Sequence, residues 1–221
     1  MKARFGIGYQ GSKNRIAKYI IDILPTGHRF VDLFAGGCSV THCAILSGKY
    51  KEFLANDIDV RIPQTFKDAI DGKFDDERRW ISRDEFFKLK DSDMYARICF
   101  SFGNNMKDYM YSKAIEPYKK ACHYAVVFDE WDEFKKLCPE TVEAAMNALD
   151  GMPIDDWKQI KERRLKFGPS VVNEVKRIGL SEDEIMNNPL YKSIKKKSTT
   201  ETQLQIQKIG RLDRLYELQS I

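Results

Sequence analysis

Several common functional patterns are missing from this chain of 221 residues. None of its five cysteines forms a Cys-x-x-Cys pair, which excludes the usual zinc-ribbon and thioredoxin-type motifs. The three histidines, His28, His42 and His123, do not stand at metal-ligand spacing from those cysteines, so we predict no metal site. The sequence has no secretory signal and no long apolar run. We therefore expect a cytoplasmic protein with reduced thiols and no membrane partner.

The charge balance of the chain is only mildly basic. Its 37 Lys and Arg residues against 33 Asp and Glu residues give a formal net charge of +4. This charge permits a nucleic-acid partner but does not require one. The length is sufficient for one sizeable domain or for a domain with an insertion.

The stretch that is most informative about function is residues 30–40, Phe-Val-Asp-Leu-Phe-Ala-Gly-Gly-Cys-Ser-Val. A short apolar run carries Asp32, ends in Phe34 and breaks into Gly36 and Gly37. This pattern predicts a buried strand that leads through a tight turn into a helix. Because glycine has no Cβ, a ligand can approach the backbone of such a turn closely.

A second short apolar run, residues 53–57, ends in Asp57. A glycine turn after one strand and a carboxylate at the end of the next is the arrangement with which doubly wound sheets bind nucleotides. The carboxylate there accepts hydrogen bonds from ribose hydroxyls. The alternative is a strand-to-helix turn without a ligand, but the glycine-rich aromatic loop at residues 5–13 favours a ligand site.

The secondary-structure pattern changes along the chain. We predict a helix that Ser12 caps and Pro25 ends, strands at 29–34 and 52–56, and a helix at 39–47. Pro63 opens the next helix. Beyond that point the prediction is helical at 83–98, 114–138, 140–148 and 154–167, with an aromatic and amide-rich loop at 99–111.

Three segments follow from this change. Residues 1–82 form the cofactor-binding part of an α/β domain, and residues 83–197 form a helical insertion. Residues 198–221 are a connector, either an amphipathic helix or an extended segment, and we expect no further core strand after residue 197.

Three motifs carry a resemblance to a known family: residues 9–13 (Tyr-Gln-Gly-Ser-Lys), 30–37 (Phe-Val-Asp-Leu-Phe-Ala-Gly-Gly) and 56–57 (Asn-Asp). In this order and spacing they resemble the amino-terminal portion of Dam-type DNA adenine-N6 methyltransferases. The resemblance covers about residues 5–60 and implies an α/β, Rossmann-like methyltransferase fold, here incomplete, that binds S-adenosylmethionine. Cys38 departs from the family pattern, which has glycine there.

The resemblance also implies a set of residues that line the cofactor pocket. Asp57 holds the ribose hydroxyls, Lys13 lies near the methionine carboxylate, and Gly36 lets the backbone approach the cofactor. Asp32 orients the cofactor amino group, or alternatively satisfies backbone donors of the turn. The full set is Tyr9, Lys13, Asp32, Phe34, Gly36 and Asp57.

The family places its DNA recognition domain where this chain has its insertion, and residues 99–124 are similar to a variable segment of phage-borne members. Basic residues neutralise phosphates, and amides suit adenine edges. The candidates for contact with double-stranded DNA are Asn104, Asn105, Lys107, Tyr109 and Tyr111. The alternative is a charged loop packed against helices, with Phe100 and Phe102 in the core. Basic residues at 163–166, 176–177 and 195–197 either follow a DNA backbone or form a solvated helix face.

One motif of the family is missing. Its Asp-Pro-Pro-Tyr segment holds the flipped adenine, but all seven prolines of this sequence are isolated, so the catalytic residues are unknown. We expect a truncated product, one part of a split enzyme or a degenerate homologue. An incomplete sheet exposes an edge and an apolar face, so we expect self-association or a separate catalytic half.

The leading hypothesis is therefore a site-specific DNA adenine-N6 methyltransferase that uses S-adenosylmethionine. The alternative is a non-catalytic module that binds DNA, S-adenosylmethionine or both. A protein that binds nicotinamide or another nucleotide is a weaker hypothesis, because Gly36 and Gly37 do not continue into Gly-x-Gly-x-x-Gly.

Overall fold

The computed structural model describes residues 5–177, 181–195 and 218–220. The chain divides into two compact units. The described part of the first unit comprises residues 5–77, 83–110 and 218–220, and that of the second comprises 78–82, 111–177 and 181–195.

A parallel sheet forms the centre of the first unit. Its strands are β1 (Arg29–Asp32), β2 (Glu52–Ala55) and β3 (Leu218–Ser220), in the order β1-β2-β3. Phe30 of β1 is opposite Phe53 of β2, which in turn is opposite the first residue of β3. Because all strands run in the same direction, the ends of β1 and β2 and the loops that follow them lie at one edge of the sheet.

Five helices surround these strands within the first unit. They are α1 (Ala17–Ile23), α2 (Ser39–Ser47), α3 (Arg61–Ile70), α4 (Arg83–Leu89) and α5 (Met94–Cys99), and a 3-10 turn follows at Phe102–Asn104. The Lys49 ammonium donates to the Ile21 and Leu24 carbonyls at the end of α1, over 2.7 and 2.9 Å. Phe53 on β2 and Phe66 on α3 are fully buried in the core of this unit.

The second unit is helical in its described part. It contains α6 (Glu116–Val127), α7 (Asp132–Leu137), α8 (Val142–Leu149), α9 (Trp157–Arg177), α10 (Glu182–Asn187), α11 (Pro189–Lys195) and a 3-10 turn at Pro139–Thr141. The helix α9 buries Trp157, Ile160, Phe167 and Val171, and residues three, four, seven and eight positions apart share one helix face.

Arg163 lies at the centre of this second unit and is only 1% exposed. Its guanidinium donates to the carbonyls of Ala125, Val126 and Met152 and to the Asp129 carboxylate. The prediction that residues 163–166 form a basic surface is therefore wrong for Arg163, which is an internal cross-link. A buried guanidinium needs such a full set of acceptors because its desolvation is costly.

Comparison with the sequence predictions shows agreement for the strongest patterns. The structure confirms the helix at 39–47. It also confirms both predicted strands, each of which ends one or two residues earlier than predicted. The Ser12 cap is wrong: α1 has no side-chain cap, and the Ser12 hydroxyl pairs with that of Ser39 at 2.7 Å. The expectation of no strand after residue 197 is also wrong, since β3 pairs with β2.

The boundary near residue 83 also differs from the predicted one. Residues Arg83–Met110 belong to the first unit, together with the strands. The helical unit resumes at Tyr111. Within the described part of the chain, no helix is long and apolar enough to cross a membrane.

Candidate cofactor site

Hydrogen bonds join the end of β1 and the loop after it to the loop after β2. The Asn56 N–H donates to the Asp32 carbonyl, and the Ala35 N–H donates to the Asn56 carbonyl, each over 2.8 Å. The Gly36 N–H donates to Oδ2 of Asp57, also over 2.8 Å. The predicted glycine turn and the predicted acid are therefore brought together at the carboxyl edge of the sheet.

Asp57 is half-buried at this edge. Its second oxygen, Oδ1, accepts from the Asp59 N–H over 3.2 Å. A carboxylate offers about four acceptor positions, so two backbone donors leave capacity for two ligand hydroxyls. The geometry fits a group that carries a vicinal diol.

Gly36 has φ of +48°, in the left-handed region that favours glycine. A Cβ on Gly36 would lie 3.2 Å from the ring of Tyr9, so this ring covers the turn closely. Burial raises the pKa of the Tyr9 hydroxyl, and the nearby Asp57 and Asp59 carboxylates raise it further. The Tyr9 phenol is therefore neutral at physiological pH and lies near the Asp57 and Asp59 carboxylates, which follow β2.

The segment that carries Tyr9 is fastened to the turn and to α2. The Ile7 N–H donates to the Gly37 carbonyl over 2.8 Å. The Gly6 N–H donates to Nδ1 of His42 on α2, also over 2.8 Å. Burial lowers the pKa of His42 to about 4, so the imidazole is neutral and its Nδ1 is a hydrogen-bond acceptor.

Cys38 occupies the position where the family pattern has glycine. Its φ is +57°, and its N–H donates to the Ala35 carbonyl over 2.8 Å. A side chain at this φ is strained, which gives the physical reason why glycine suits the position. The Cys38 side chain is fully buried, and burial raises the pKa of its thiol.

Asp32 is partly engaged within the protein. Its Oδ2 accepts a hydrogen bond from the Thr41 hydroxyl of α2 over 2.8 Å. The donor is a side-chain hydroxyl and not one of the backbone donors of the turn that the alternative role predicted, so Asp32 ties β1 to the next helix, while Oδ1 retains capacity for another donor.

Two apolar side chains flank the Asp57–Gly36 pair and project into solvent. Phe34, which precedes the turn, is 90% exposed, and Ile58, which follows Asp57, is fully exposed. Large apolar side chains in such positions are typical of ligand-contact surfaces.

Lys13, the predicted partner of the methionine carboxylate, is exposed as well, and its ammonium donates to the Gly11 carbonyl over 3.2 Å.

The candidate DNA residues separate into two groups. Asn104, Asn105 and Lys107 lie in the turn Phe102–Asp108, and Lys107 is exposed. Asn105 is used inside this turn, because its Oδ1 accepts from the Lys107 and Asp108 N–H groups over 2.9 and 3.0 Å. Its amide is therefore engaged in turn formation.

The two tyrosines are core residues of their units. Tyr109 is 5% exposed and packs on Phe86, with a ring-centroid distance of 5.6 Å. Tyr111 is 4% exposed and stacks on Trp80, with an interplanar angle of 9°. Both rings are buried against other aromatic rings, so neither is accessible for stacking on a base. Phe102, in contrast, is 62% exposed rather than in the core.

A comparison with known families identifies the family of this chain. A family model described as D12 class N6 adenine-specific DNA methyltransferase matches residues 9–194. The chain belongs to this family. The matched range of this D12-class chain contains every candidate site residue described above. No curated protein and no solved structure matches the chain.

Sequence reasoning missed three side chains beside the candidate site of this D12-class chain. Asp59 accepts hydrogen bonds from Nε and Nη2 of Arg61 over 2.7 and 2.8 Å, and these lower the pKa of its carboxyl. Arg97 of α5 approaches the same carboxylate, with Nη1 at 3.2 Å from Oδ2. Ile58 stands between the two acids. The Asp-x-Asp spacing signals the pair 57 and 59, whereas nothing in the sequence connects Arg97 to them.

Proposed function

We propose that this chain serves the transfer of a methyl group from S-adenosylmethionine to the N6 amino group of adenine at specific sites in DNA. The Asp57–Gly36 hydrogen bond at the carboxyl edge of the sheet, in a chain of the D12-class family, is the observation that carries the proposal. The strands β1, β2 and β3 form part of a Rossmann-like sheet in this proposal.

The residues present fit S-adenosylmethionine, which supplies an electrophilic methyl group on a sulfonium centre. Asp57 keeps acceptor capacity for the two ribose hydroxyls. The exposed side chains of Phe34 and Ile58 offer apolar contact to the adenine ring. These three side chains are adjacent to the turn, as a nucleoside requires.

Further residues act on the amino-acid part of the cofactor. The absence of a Cβ at Gly36 leaves room for the Tyr9 ring, which lies over the turn and would form one wall of the cofactor site. The exposed Lys13 ammonium pairs with the carboxylate, and Oδ1 of Asp32 accepts from the amino group. Asp32 thereby has two roles, one toward Thr41 and one toward the cofactor.

The turn Phe102–Asp108 is the proposed DNA-facing part of the first unit. Lys107 is exposed and suits a phosphate contact. The turn belongs to the same unit as the glycine turn, so both substrates meet on one structural unit. The proposal assigns further DNA contacts to the helical second unit, whose exposed basic residues include Lys166 and Lys176.

The adenine acceptor site needs residues that this sequence does not contain, since it has no Asp-Pro-Pro-Tyr segment. We propose that a catalytic half supplies them by pairing with the edge of β1 or that the chain associates with itself there. Among the described residues no strand pairs with the outer edge of β1, and the side chains of Val31 on β1 and of Leu33 just after it are exposed. Exposed apolar strand edges favour such pairing.

The five cysteines are free thiols, which supports the proposed cytoplasmic location.

The missing segment also favours a second candidate, a non-catalytic module that binds DNA, S-adenosylmethionine or both. The two candidates are separated by incubating labelled S-adenosylmethionine and adenine-containing duplex DNA with the purified chain alone and with the chain plus a polypeptide that supplies the Asp-Pro-Pro-Tyr segment. Formation of N6-methyladenine in either mixture excludes the non-catalytic module. Ligand binding without methyl transfer in both mixtures supports the module, and binding of neither ligand contradicts both candidates.

A further inference from the structure

The turn Phe102–Asp108 packs on the segment that carries Tyr9. The Gln10 N–H donates to the Asn104 carbonyl over 3.2 Å. The Asn104 side chain lies over Gly8, since a Cβ on Gly8 would be 2.9 Å from Oδ1 of Asn104. The φ of Gly8 is outside the left-handed region, so its backbone does not require glycine. A Cβ there would force the Asn104 amide to shift.

The backbone of this turn is strained where it meets the Tyr9 segment. Gly103 and Asn104 both have φ of +57°, and Met106 has φ of +60°. A methionine in the left-handed region is rare, and such conformations persist only where the surroundings impose them and often mark functional sites. The Asn105 amide imposes this one by bridging to the Asp108 carboxylate over 2.7 Å.

The Asn104 amide itself makes no hydrogen bond to any residue that the structure describes. It is half-buried and presents two donors and an acceptor beside the Tyr9 segment. Contacts continue from there to the proposed cofactor site: Asn104 lies over Gly8, and the ring of the next residue, Tyr9, covers Gly36. On its other side the turn carries the exposed Lys107.

We propose that Asn104 is a positioning residue that couples the cofactor site to the DNA-facing turn, and that it does not read an adenine edge. This inference rests on the proposed function. A bound cofactor fixes Tyr9 and Gly8, Gly8 fixes the Asn104 amide, and the amide fixes the turn that carries Lys107. By thermodynamic linkage, cofactor and DNA then raise each other's affinity by the same factor.

The test measures four dissociation constants for the full chain: S-adenosylmethionine with and without a mixed-sequence DNA duplex, and the duplex with and without S-adenosylmethionine. Asn104→Gly keeps a residue that tolerates the left-handed backbone and removes only the amide. We expect at least about fivefold mutual enhancement in the wild type and less than about twofold in Asn104→Gly. A wild-type enhancement retained by Asn104→Gly overturns the proposal.

Lys107→Ala removes the proposed phosphate contact at the DNA end of this series of contacts, so duplex affinity falls and the enhancement falls with it. The matched control is Lys51→Ala, which removes an exposed lysine just before β2 and should leave the enhancement factor at the wild-type value. A purely structural role for Asn104 predicts a lower melting temperature with the enhancement unchanged, and that outcome also overturns the proposal.

Gly8→Ala gives a second, independent variant. Its Cβ displaces the Asn104 amide, so the enhancement is lost as in Asn104→Gly. The double variant Gly8→Ala, Asn104→Gly has no amide for the new Cβ to clash with. Its melting temperature should therefore be higher than that of Gly8→Ala alone, while the mutual enhancement of cofactor and duplex binding remains absent. Fully additive effects of the two substitutions on both quantities contradict the proposed contact.

The outcome for the wild type separates the two proposals. Binding of S-adenosylmethionine and duplex without mutual enhancement overturns the coupling role of Asn104 and leaves the proposed function intact. Absence of S-adenosylmethionine binding overturns the proposed function and the coupling role with it.

Discussion

The Asp57 carboxylate accepts a hydrogen bond from the main-chain N–H of Gly36 over 2.8 Å, across 21 positions of sequence. This contact joins the end of β2 to the turn after β1. The acid is thereby aimed at the glycine turn by the protein's own backbone, so the proposed ribose site is preformed.

The role of Asp57 is tested by its substitution. Asp57→Ala removes the proposed acceptor of the ribose hydroxyls and releases the Gly36 N–H. Hydrogen bonds to a charged group contribute about 1.5–3 kcal/mol, so the dissociation constant for S-adenosylmethionine should rise by about 10- to 100-fold. Asp57→Asn keeps a neutral acceptor and should show a smaller loss.

The matched control for Asp57 is Asp22→Ala, on the exposed surface of α1. It removes a carboxylate of the same type away from the turn and should leave the dissociation constant unchanged. Isothermal titration calorimetry measures the dissociation constant for S-adenosylmethionine in the wild type, Asp57→Ala, Asp57→Asn and Asp22→Ala. Equal affinity of wild type and Asp57→Ala would contradict the ribose role.

His42 makes stability depend on pH. Burial lowers the pKa of His42 to about 4 in the folded protein, below the ordinary value of 6.5. The folded state therefore favours the neutral ring: the stabilisation is complete above pH 6.5 and is lost as the pH falls toward 4. The lowered pKa of His42 corresponds to a contribution of the order of 3 kcal/mol to the free energy of unfolding, and this contribution is fully lost below about pH 4.

Urea denaturation at pH 7.5, 6 and 5 measures this dependence. In His42→Asn the amide oxygen replaces Nδ1 as acceptor for the Gly6 N–H, and the pH dependence should decrease. His123, buried in the second unit with its pKa lowered to about 3, contributes in the same direction. A free energy of unfolding that is equal at pH 7.5 and 5 would refute this account.

Arg163 is expected to be essential for the second unit. Arg163→Ala leaves carbonyls of α6 and of the segment after α8 without their donor, and removes the partner of Asp129. A buried acceptor that loses its donor costs about 1–3 kcal/mol, so Arg163→Ala should lower the free energy of unfolding by at least this amount. Lys166→Ala, an exposed position on the same helix, should change stability by less than about 0.5 kcal/mol.

Thermal unfolding of the two variants provides the comparison. A melting temperature of Arg163→Ala close to that of Lys166→Ala would show that the network contributes little.

The parts of the fold that the sequence predicted correctly are those with local causes. The helix α2 begins after a glycine turn and ends at Gly48, whose φ is +67°, so its bounds follow from local residue types. The strands β1 and β2 follow from short apolar runs. The proximity of Gly36 and Asp57 follows from the parallel direction of those strands.

The parts that failed depend on contacts distant in sequence. The Ser12 hydroxyl is used by Ser39, 27 positions away, rather than by a helix start. Tyr111 and Arg163 carry polar groups that suggest a surface, but tertiary stacking and carbonyl acceptors bury them. Nothing in the local pattern around Asn104 shows that it lies over Gly8.

The proposed phosphate contact of Lys107 predicts a salt effect. Lys107→Ala should weaken duplex binding and reduce the slope of log affinity against log salt concentration by about 1. Lys51→Ala removes an equally exposed charge at the opposite edge of the sheet, just before β2 begins. Fluorescence anisotropy at several salt concentrations compares them, and identical slopes for both variants would exclude the contact.

The most direct test of the account is a calorimetric titration of the purified wild-type chain with S-adenosylmethionine. The account predicts saturable one-to-one binding that Asp57→Ala weakens and Asp22→Ala does not. Absence of binding to a chain that circular dichroism shows to be folded would contradict the claim that the turn at Gly36 and the acid at Asp57 form a cofactor site.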